Sequence, residues 1–258
     1  MPITYKCPNC GAAMEFDSTA QKLKCPSCQM EMDVQDYEKQ YGHLYSDAEA
    51  GGNTQTDTQS VQSEEQKGKG SMNNRISNFL FQKLEQQGIP THLIKELDDR
   101  KTLVKKVDII PLEVIVRNKV AGSFAKRLGL EEGTKIKSPI LEFSYKNDEL
   151  GDPMINSYMA IAIGIATREE IDTITDMAFK INNTLKDIFA KADIELIDFK
   201  IEFGKFHDTI VLADEISPDT CRLWDMDSHE HLDKDRFRRD LGNVEDAYQE
   251  VCKRLYIA

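Results

Sequence analysis

Charged and apolar side chains alternate along residues 194–203 of the chain. This period of two is typical of a strand, and it places Asp198, Lys200 and Glu202 on the same face. A short turn that contains glycine, predicted at 204–208, leads into a second apolar segment, the predicted antiparallel partner, which ends at Asp214. Carboxylates on adjacent strands can form a binding site for a magnesium ion that also binds nucleotide phosphates. The competing interpretation is a solvated strand face on which opposite charges alternate.

Two pairs of cysteines with CxxC spacing near the N-terminus predict a metal site. They are Cys7 and Cys10, followed by Cys25 and Cys28. Each tight turn directs two sulfur atoms towards one point, and four thiolates satisfy the tetrahedral geometry of zinc. We therefore predict a structural Zn²⁺ ribbon, whose closed four-cysteine site leaves no open position for catalysis. A redox-active CxxC pair is the alternative, which the presence of two matched pairs disfavours.

The composition is that of an ordinary globular protein, with 258 residues, 40% apolar and 30% charged side chains and a net charge of −12. The negative charge argues against general binding to nucleic acid or to anionic membranes. No apolar run approaches the roughly 18 residues of a membrane span, and the first residues do not resemble a signal peptide. Cys221 and Cys252 lie far apart and are interpreted as free thiols. The sequence therefore predicts a cytoplasmic protein.

Three regions of the chain differ in composition. Residues 1–45 hold the four paired cysteines and a short tail, and we predict that they form the zinc ribbon. Residues 46–66 are polar and contain almost nothing apolar, so they cannot bury enough surface to order themselves and are predicted to be a flexible linker. Residues 67–258 return to periodic apolar patterns and form the predicted main domain.

Strand and helix patterns are interspersed in the main domain without a strict βαβ repeat. The predicted elements are a helix that ends before Gly88, strands over 103–118 with a break at Pro111, a helix opened by the capping box of Thr167 and Glu170, and a closing helix over 244–256. The apolar stripe of the capped helix predicts packing against a core. This mixture favours an α+β fold with an antiparallel sheet.

Five sequence blocks of the main domain resemble one known family in the same order. They are LVKKVDIIPLEVIVRNKVAGSFAKRLG (103–129), EFSYKNDELGDPMIN (142–156), DFKIEFG (198–204), ADEISPDTCRLWD (213–225) and LDKDRFRRDLG (232–242). They are similar to the phosphoribosylaminoimidazole-succinocarboxamide synthase, or SAICAR synthetase, family, from about Lys67 to the C-terminus. The resemblance implies an α+β fold with an ATP-grasp-like antiparallel sheet and helices.

The resemblance also implies an activity, an ATP-dependent ligation in purine biosynthesis. The substrates would be ATP, L-aspartate and carboxyaminoimidazole ribotide, with Mg²⁺ as the metal. ATP would activate the ribotide carboxylate as an acyl phosphate, which the amine then attacks. Phosphoryl transfer of this kind asks mainly for positioning and for neutralisation of phosphate charge. Members of the family commonly self-associate, so a homo-oligomer is expected.

Roles follow for the residues of the predicted hairpin. By resemblance, Glu202 and Asp214 hold the magnesium ion against the ATP phosphates. Lys200 lies between two acids on one strand, so it should stay protonated and neutralise the transferred phosphoryl group. Asp198 is expected to orient Lys200 or the substrate. Lys200 and Asp198 are therefore the predicted catalytic residues.

The resemblance assigns further residues to ATP and to the other substrates. Adenine is expected to bind the backbone of a hinge, with Lys105, Val107 and the neighbouring Asp108 as its residues. The predicted substrate-binding residues are Arg117, Ser123, Arg222, Lys146, Asp152 and Asp219. Arginine presents a planar fork suited to phosphate and carboxylate groups. For each lone arginine or lysine, the alternative is an ordinary surface salt bridge.

A basic cluster near the C-terminus is expected to be mainly structural. Its arginines, at 236, 238 and 239, alternate with the acids Asp233, Asp235 and Asp240, which we predict to be their partners. In the family an arginine of this segment lies near the substrate, so Arg238 is kept as a substrate-binding candidate.

Family members normally begin with a small β-rich lobe whose loop covers the ATP phosphates, and the residues before Lys67 show nothing like it. Three interpretations follow. The chain is a ligase with reduced activity, or one that needs the lobe supplied in trans. Alternatively, it is a non-catalytic protein that binds a nucleotide or ribotide and docks a protein partner through the zinc ribbon. In the third interpretation, two genes have been joined artificially.

Overall fold

The structure is a computed structural model that describes residues 15–17, 22–25, 30–33, 64–238 and 244–257. The chain divides into two compact units, residues 1–60 and 61–258.

The described part of the first unit is a small antiparallel sheet. Its strands pair in chain order and are β1 (Glu15–Asp17), β2 (Lys22–Lys24) and β3 (Glu31–Asp33). Cys25 directly follows β2 and is buried. Cys7, Cys10 and Cys28 lie outside the described residues, so the zinc ribbon stays a prediction.

The second unit combines helices with antiparallel strands. Its helices are α1 (Glu64–Gln86), α2 (Gly122–Leu128), α3 (Ser157–Ala162), α4 (Arg168–Ala190), α5 (Asp235–Arg238) and α6 (Val244–Arg254). Its strands are β4 (Leu93–Asp98), β5 (Lys101–Val104), β6 (Asp108–Lys119), β7 (Lys135–Tyr145), β8 (Met154–Ile155), β9 (Ile194–Phe206), β10 (Thr209–Ala213) and β11 (Cys221–Asp225). Helix α1 contains the last three residues of the predicted linker; the rest of that linker lies outside the described residues.

Six strands form one sheet around β9. Their order is β10-β9-β6-β7-β8, and β11 pairs with β9 along the same edge as β10 but towards the start of the strand. All these pairs are antiparallel, which confirms the predicted type of sheet. Strands β4 and β5 form a separate two-stranded sheet.

One face of the large sheet is apolar and belongs to the main core. Val114, Phe199 and Ile201 are fully buried there, in one cluster with Ile174 and Ile181 of helix α4. Because side chains alternate along a strand, the polar residues of β9 project from the opposite face. The sheet thus separates the core from a charged surface, and its register decides which charged residues meet.

Helix α4 begins and packs as its sequence predicts. The backbone N–H of Glu170 donates to Oγ1 of Thr167 at 3.2 Å, and the Glu170 carboxylate accepts from the Thr167 N–H at 2.8 Å. The predicted apolar stripe is buried at Ile171, Ile174, Ala178, Ile181 and Leu185. The closing helix is confirmed as α6. Within the described ranges, no helix is both long and apolar enough to cross a membrane.

Two predicted boundaries near the site are wrong. Strand β6 continues through Pro111, where a break was expected. Its pairing with β9 is irregular between Ile109 and Glu113, so the missing N–H of the proline interrupts no regular ladder. The break between two strands lies instead at 105–107, between the end of β5 and the start of β6. The turn predicted at 204–208 is too long, because its first three residues belong to β9.

Gly204 allows close packing between β9 and the segment that joins β5 to β6. A Cβ atom at this position would lie 2.6 Å from Cγ2 of Val107. We expect Gly204→Ala to lower the free energy of unfolding by about 1–3 kcal/mol, because the segment would have to move. Urea denaturation measures the change. The added substitution Val107→Ala should recover part of the loss, and no recovery would contradict the contact as its cause.

Candidate functional site

Lys200 lies at the centre of a group of carboxylates on the polar face of the sheet. Its Nζ is 2.9 Å from Oε1 of Glu202 and 2.9 Å from Oε1 of Glu113 on β6. Nζ of Lys146, which follows β7, is 2.6 Å from the same Glu202 oxygen. Glu202 is only 2% exposed, so the interpretation as a solvated strand face fails here. We call these four residues, together with Asp214, the lysine–acid cluster.

The hydrogen bonds of this cluster keep its acid and base charged. Burial alone would raise the pKa of Glu202, but the bonds from Lys146 and Lys200 hold that pKa below its ordinary value. Burial alone would lower the pKa of Lys200, but its bonds to Glu113 and Glu202 raise that pKa above its ordinary value. Lys200 is therefore an ammonium group at neutral pH, as its sequence position predicts.

Asp214 enters the lysine–acid cluster from the end of β10. Its neighbour Ala213 is the cross-strand partner of Glu202, which brings the two carboxylates to adjacent strands. The backbone of Asp214 has φ = 58°, a left-handed conformation that aspartate tolerates better than most residues. Loss of surrounding water, and then the charge of Glu202, raise the pKa of Asp214. Two acids that repel each other in this way suit a hard divalent cation with oxygen ligands, such as Mg²⁺.

Asp198 holds two arginines in a second group of charges. Its Oδ2 is 2.8 Å from Nη1 of Arg117 on β6 and 2.8 Å from Nη1 of Arg222 on β11. Glu142 lies 2.7 Å from Nε of Arg117, and Asp235 lies 2.8 Å from Nε of Arg222. The register explains the grouping, because Asp198 is the cross-strand partner of both arginines. We call these five residues the arginine cluster.

The arginine cluster changes the interpretation of Asp198. Its side-chain bonds go to Arg117 and Arg222, whereas Lys200 bonds to other acids. Ser123 belongs beside the cluster, since its Oγ accepts from Nη2 of Arg117 at 3.4 Å. Gly122 has a positive φ of 54°, and a Cβ there would overlap the guanidinium of Arg222. The glycine thus lets the start of α2 approach the arginine.

The predicted adenine hinge lies between β5 and β6. The backbone N–H of Lys105 donates to the carbonyl of His92 at 2.7 Å, and its Nζ donates to the carbonyl of Thr91 at 2.8 Å. Val107 packs against Gly204, and Asp108 is exposed at the start of β6. These contacts fix the course of the segment next to β9. Its role towards adenine stays a prediction.

Two of the predicted substrate-binding acids are already engaged within the protein. The carboxylate of Asp152 accepts from the backbone N–H of Asn147 at 2.8 Å. Asp219 accepts from Asn73 at 2.5 Å and from Tyr248 at 2.7 Å, and it pairs with Lys69 at 2.8 Å. These donors belong to α1 and α6, so Asp219 joins those helices to the loop before β11.

Among the described residues after β11, the acidic and basic side chains have contacts beyond the predicted set. Asp235 binds Arg222, and Nη1 of Arg236 is 2.5 Å from Oε1 of Glu230. Asp233 is fully buried, and its two oxygens accept from the backbone N–H groups of Leu223 and Asp235 at 2.7 Å each. Asp233 thus binds the backbone of β11, and Asp235 binds Arg222 on the same strand. The side chains of residues 238–240 lie outside the described part of the chain.

Burial raises the pKa of Asp233 from an ordinary 3.8 to about 7. The folded state then holds this proton more tightly than the unfolded state, so stability should fall as pH rises from about 4 to about 7. We expect the free energy of unfolding to fall by about 2 kcal/mol between pH 5 and pH 8 relative to Asp233→Asn, which cannot titrate. Urea denaturation at both pH values measures the difference. Parallel pH curves for the two proteins would rule out this titration.

Glu113 and Glu142 belong to the two clusters but were not among the predicted site residues. A signal for Glu113 is present in the sequence, because the period of two places it on the same face of β6 as Arg117. Glu142 joins the site through its pairing, because it is the cross-strand partner of Ile115, which lies between Glu113 and Arg117 on β6. That pairing joins distant segments and cannot be read from a local pattern.

Comparison with known proteins identifies the class of protein to which this fold and these clusters belong. A family model described as SAICAR synthetase matches residues 52–255. The phosphoribosylaminoimidazole-succinocarboxamide synthase of Lachnoclostridium phytofermentans is 67% identical over 190 residues, which are 74% of this chain and 81% of the relative. The synthase of Clostridium botulinum is 71% identical over 188 residues, 72% of this chain and 80% of the relative. The chain belongs to the SAICAR synthetase family.

Solved structures agree with this assignment. The synthase of Ehrlichia chaffeensis has a TM-score of 0.73 at 50% identity, over 74% of this chain and 82% of that chain. The SAICAR synthetase of Pyrococcus horikoshii has a TM-score of 0.71 at 52% identity, over 74% and 84%. A SAICAR synthetase in complex with ADP has a TM-score of 0.72 at 52% identity, over 73% and 81%. The fold is that of SAICAR synthetase, with mixed helices and an antiparallel sheet.

Proposed function

We propose that this chain is an ATP-dependent carbon–nitrogen ligase of purine biosynthesis. It joins L-aspartate to carboxyaminoimidazole ribotide and forms SAICAR, ADP and phosphate. One observation carries the proposal: the lysine–acid and arginine clusters share a sheet face in a chain that is 67% identical to a synthase with this name. The first cluster offers oxygen ligands and ammonium groups, and the second offers guanidinium forks for oxyanions.

The lysine–acid cluster would position the transferred phosphoryl group. Glu202 and Asp214 would hold Mg²⁺, which reduces the negative charge of the phosphate oxygens when it is bound. Lys200 and Lys146 bring ammonium groups to the same place. No proton has to move to create these charges when the phosphoryl group is transferred. The γ-phosphoryl group passes to the ribotide carboxylate and ADP leaves. The amine of L-aspartate then forms the amide bond as phosphate departs.

The arginine cluster would bind the ribotide. The phosphate and carboxylate groups of the ribotide would compete with Asp198 for Arg117 and Arg222. Ser123 adds a hydroxyl group beside these arginines. Before the ribotide binds, Asp198 holds both guanidinium groups in place, so little side-chain freedom is left to lose on binding. A relative at 52% identity is solved with ADP, which supports nucleotide binding by this chain.

Product formation tests the proposal. Purified protein is incubated with ATP, Mg²⁺, L-aspartate and carboxyaminoimidazole ribotide, and SAICAR is measured by mass spectrometry. We expect product only when all four are present, and a large loss in Asp214→Asn. The same product yield from the wild type and from Asp214→Asn would overturn the assignment of the site.

A second candidate is a ligase whose turnover depends on a further segment supplied in trans. Strands β4 and β5 form a sheet of their own and expose Ile94, Leu97 and Leu103 by 54%, 56% and 47%. Two strands alone are marginally stable, and a third strand or lobe would cover them. The matched residues make up 81% of the L. phytofermentans relative, so the rest of that relative is the candidate segment.

Complementation separates the two candidates. The unmatched part of the L. phytofermentans synthase is added as a separate polypeptide to the turnover assay. An increase of about 10²-fold or more would favour dependence on that segment, as expected when phosphate donors are restored. Turnover that this chain shows without the added polypeptide, and that the addition does not change, would favour complete activity in this chain alone.

We also propose that the first unit binds structural zinc. Support comes from the four-cysteine spacing and from the burial of Cys25 directly after β2. Metal analysis should give about one zinc per chain, and Cys25→Ser should lose most of it. A wild-type protein purified without zinc, and unchanged by added zinc, would contradict the ribbon.

A further inference from the structure

A cavity of about 450 Å³ lies between helix α1, the C-terminal end of α4 and the end of α6. Its volume falls within the range of pockets that bind small molecules. None of the described residues that line it belongs to the lysine–acid cluster or to the arginine cluster, which lie on the polar face of the sheet. The cavity is therefore separate from the site proposed for the ligation.

The floor of this cavity is apolar and partly aromatic. Phe79 and Ile188 are partly buried and pack against the main core, and Leu255 is buried. Tyr256 also lines the cavity, but it is 92% exposed, which is unusual for a large aromatic side chain. Two aromatic side chains at one cavity suit a ligand with a planar ring, because such a ring can stack on either of them.

Two lysines bring positive charge to this apolar floor. Nζ of Lys83 lies 5.3 Å from the centre of the Phe79 ring, so an ammonium group and an aromatic face meet at one point. Lys191 lines the cavity from the end of α4. Within the described part of the chain, neither lysine has an acid at ion-pair distance, although the net charge is −12. The charge of Arg254 is already balanced by two acids. Two such ammonium groups favour a dianion.

We propose that this cavity binds a nucleoside monophosphate. The planar base lies against Phe79 and Tyr256, and the dianionic phosphate meets Lys83 and Lys191. Asp187, the acid of the lining, accepts a hydrogen bond from an N–H or amino group of the base. Inorganic phosphate would use the lysines alone, and an uncharged ring would use the floor alone. This nucleotide is distinct from the ATP of the proposed function, and the inference does not require that function.

Calorimetric titration with AMP tests the site. Mg²⁺ is omitted, because the proposed ATP site requires the metal. We expect AMP to bind the wild type, and the double variant Lys83→Gln/Lys191→Gln to bind it at least about tenfold more weakly. The matched control is Lys95→Gln/Lys186→Gln, which removes two exposed lysines from outside the cavity and should leave the affinity within about twofold. Equal affinity in the two double variants, or no binding to the wild type, would overturn the proposal.

Ribose 5-phosphate tests the aromatic half of the site, because it keeps the phosphate and lacks the base. Its affinity for the wild type should be at least about tenfold lower than that of AMP, since stacking of the base is lost. Equal affinity would reduce the cavity to an anion site and would overturn the assignment to a nucleotide.

Photolabelling with 8-azido-AMP, again without Mg²⁺, gives the location of the bound nucleotide. The label should fall on the peptides that contain Phe79 or Tyr256, as identified by mass spectrometry. Label confined to the peptides of the lysine–acid cluster or of the hinge at 105–108 would overturn the proposal. Failure of the wild type to form SAICAR would count against the proposed function and would leave this result unaffected.

Discussion

Lys200→Met is expected to lower kcat by about 10²–10³-fold, with a smaller effect on the KM for ATP. The substitution keeps much of the side-chain volume but removes the ammonium group that faces Glu113 and Glu202 at 2.9 Å. A preorganised charge that acts on a phosphoryl transition state typically contributes this much. Steady-state ADP release, measured with all substrates saturating, gives the value.

The matched control for this prediction is Lys119→Met. Lys119 also pairs with a glutamate, Glu195, at 2.6 Å, but it lies away from the lysine–acid cluster. We expect kcat of this variant to stay within about twofold of the wild type, since a partly exposed pair contributes little. If both variants lost activity equally, the effect of Lys200→Met would be one on folding and not on phosphoryl transfer.

Arg222→Lys is expected to raise the KM for carboxyaminoimidazole ribotide by about 10–100-fold while the charge is retained. The guanidinium of Arg222 bonds Asp198 through Nη1 and Asp235 through Nε, and a single ammonium group cannot reproduce this fork. A lost bidentate contact to an oxyanion costs about 1–3 kcal/mol, which gives the expected range. Initial rates at varied ribotide concentrations measure it.

Arg254→Lys provides the comparison for Arg222→Lys. Arg254 also contacts two acids, Asp225 and Glu250, at 2.7 Å each, but on helix α6 away from the arginine cluster. The KM of the Arg254→Lys variant for carboxyaminoimidazole ribotide should be the same as that of the wild type. An unchanged KM in Arg222→Lys as well would place the ribotide elsewhere on the sheet.

Features that depend on neighbouring residues were predictable from the sequence. The capping box of Thr167 and Glu170 predicts the start of α4, because both bonds form within one turn. Alternation along β9 predicts that Asp198, Lys200 and Glu202 share a face. The boundary at Pro111 was not predictable in this way, since it depends on an irregular pairing with β9 that only the assembled sheet defines.

The partners within the site required the structure for the same reason. Asp198 and Arg117 are 81 residues apart, and Lys200 and Glu113 are 87 residues apart. Their meeting depends on the register of β6 against β9, which a shift of one residue would abolish. From the sequence, Asp198 and Lys200 are predicted to share a catalytic role, because the two residues are close along the strand. The register instead divides them between two clusters.

Calorimetric titration of the whole chain with ADP, in the presence and absence of Mg²⁺, tests the lysine–acid cluster as the nucleotide phosphate site most directly. Binding should require Mg²⁺, because Glu202 and Asp214 are two acids on adjacent strands that would hold the metal against the phosphates. Asp214→Asn should weaken that binding by at least about tenfold, while Lys119→Met should not. Binding of equal strength without Mg²⁺ and in Asp214→Asn would contradict the lysine–acid cluster as the nucleotide phosphate site.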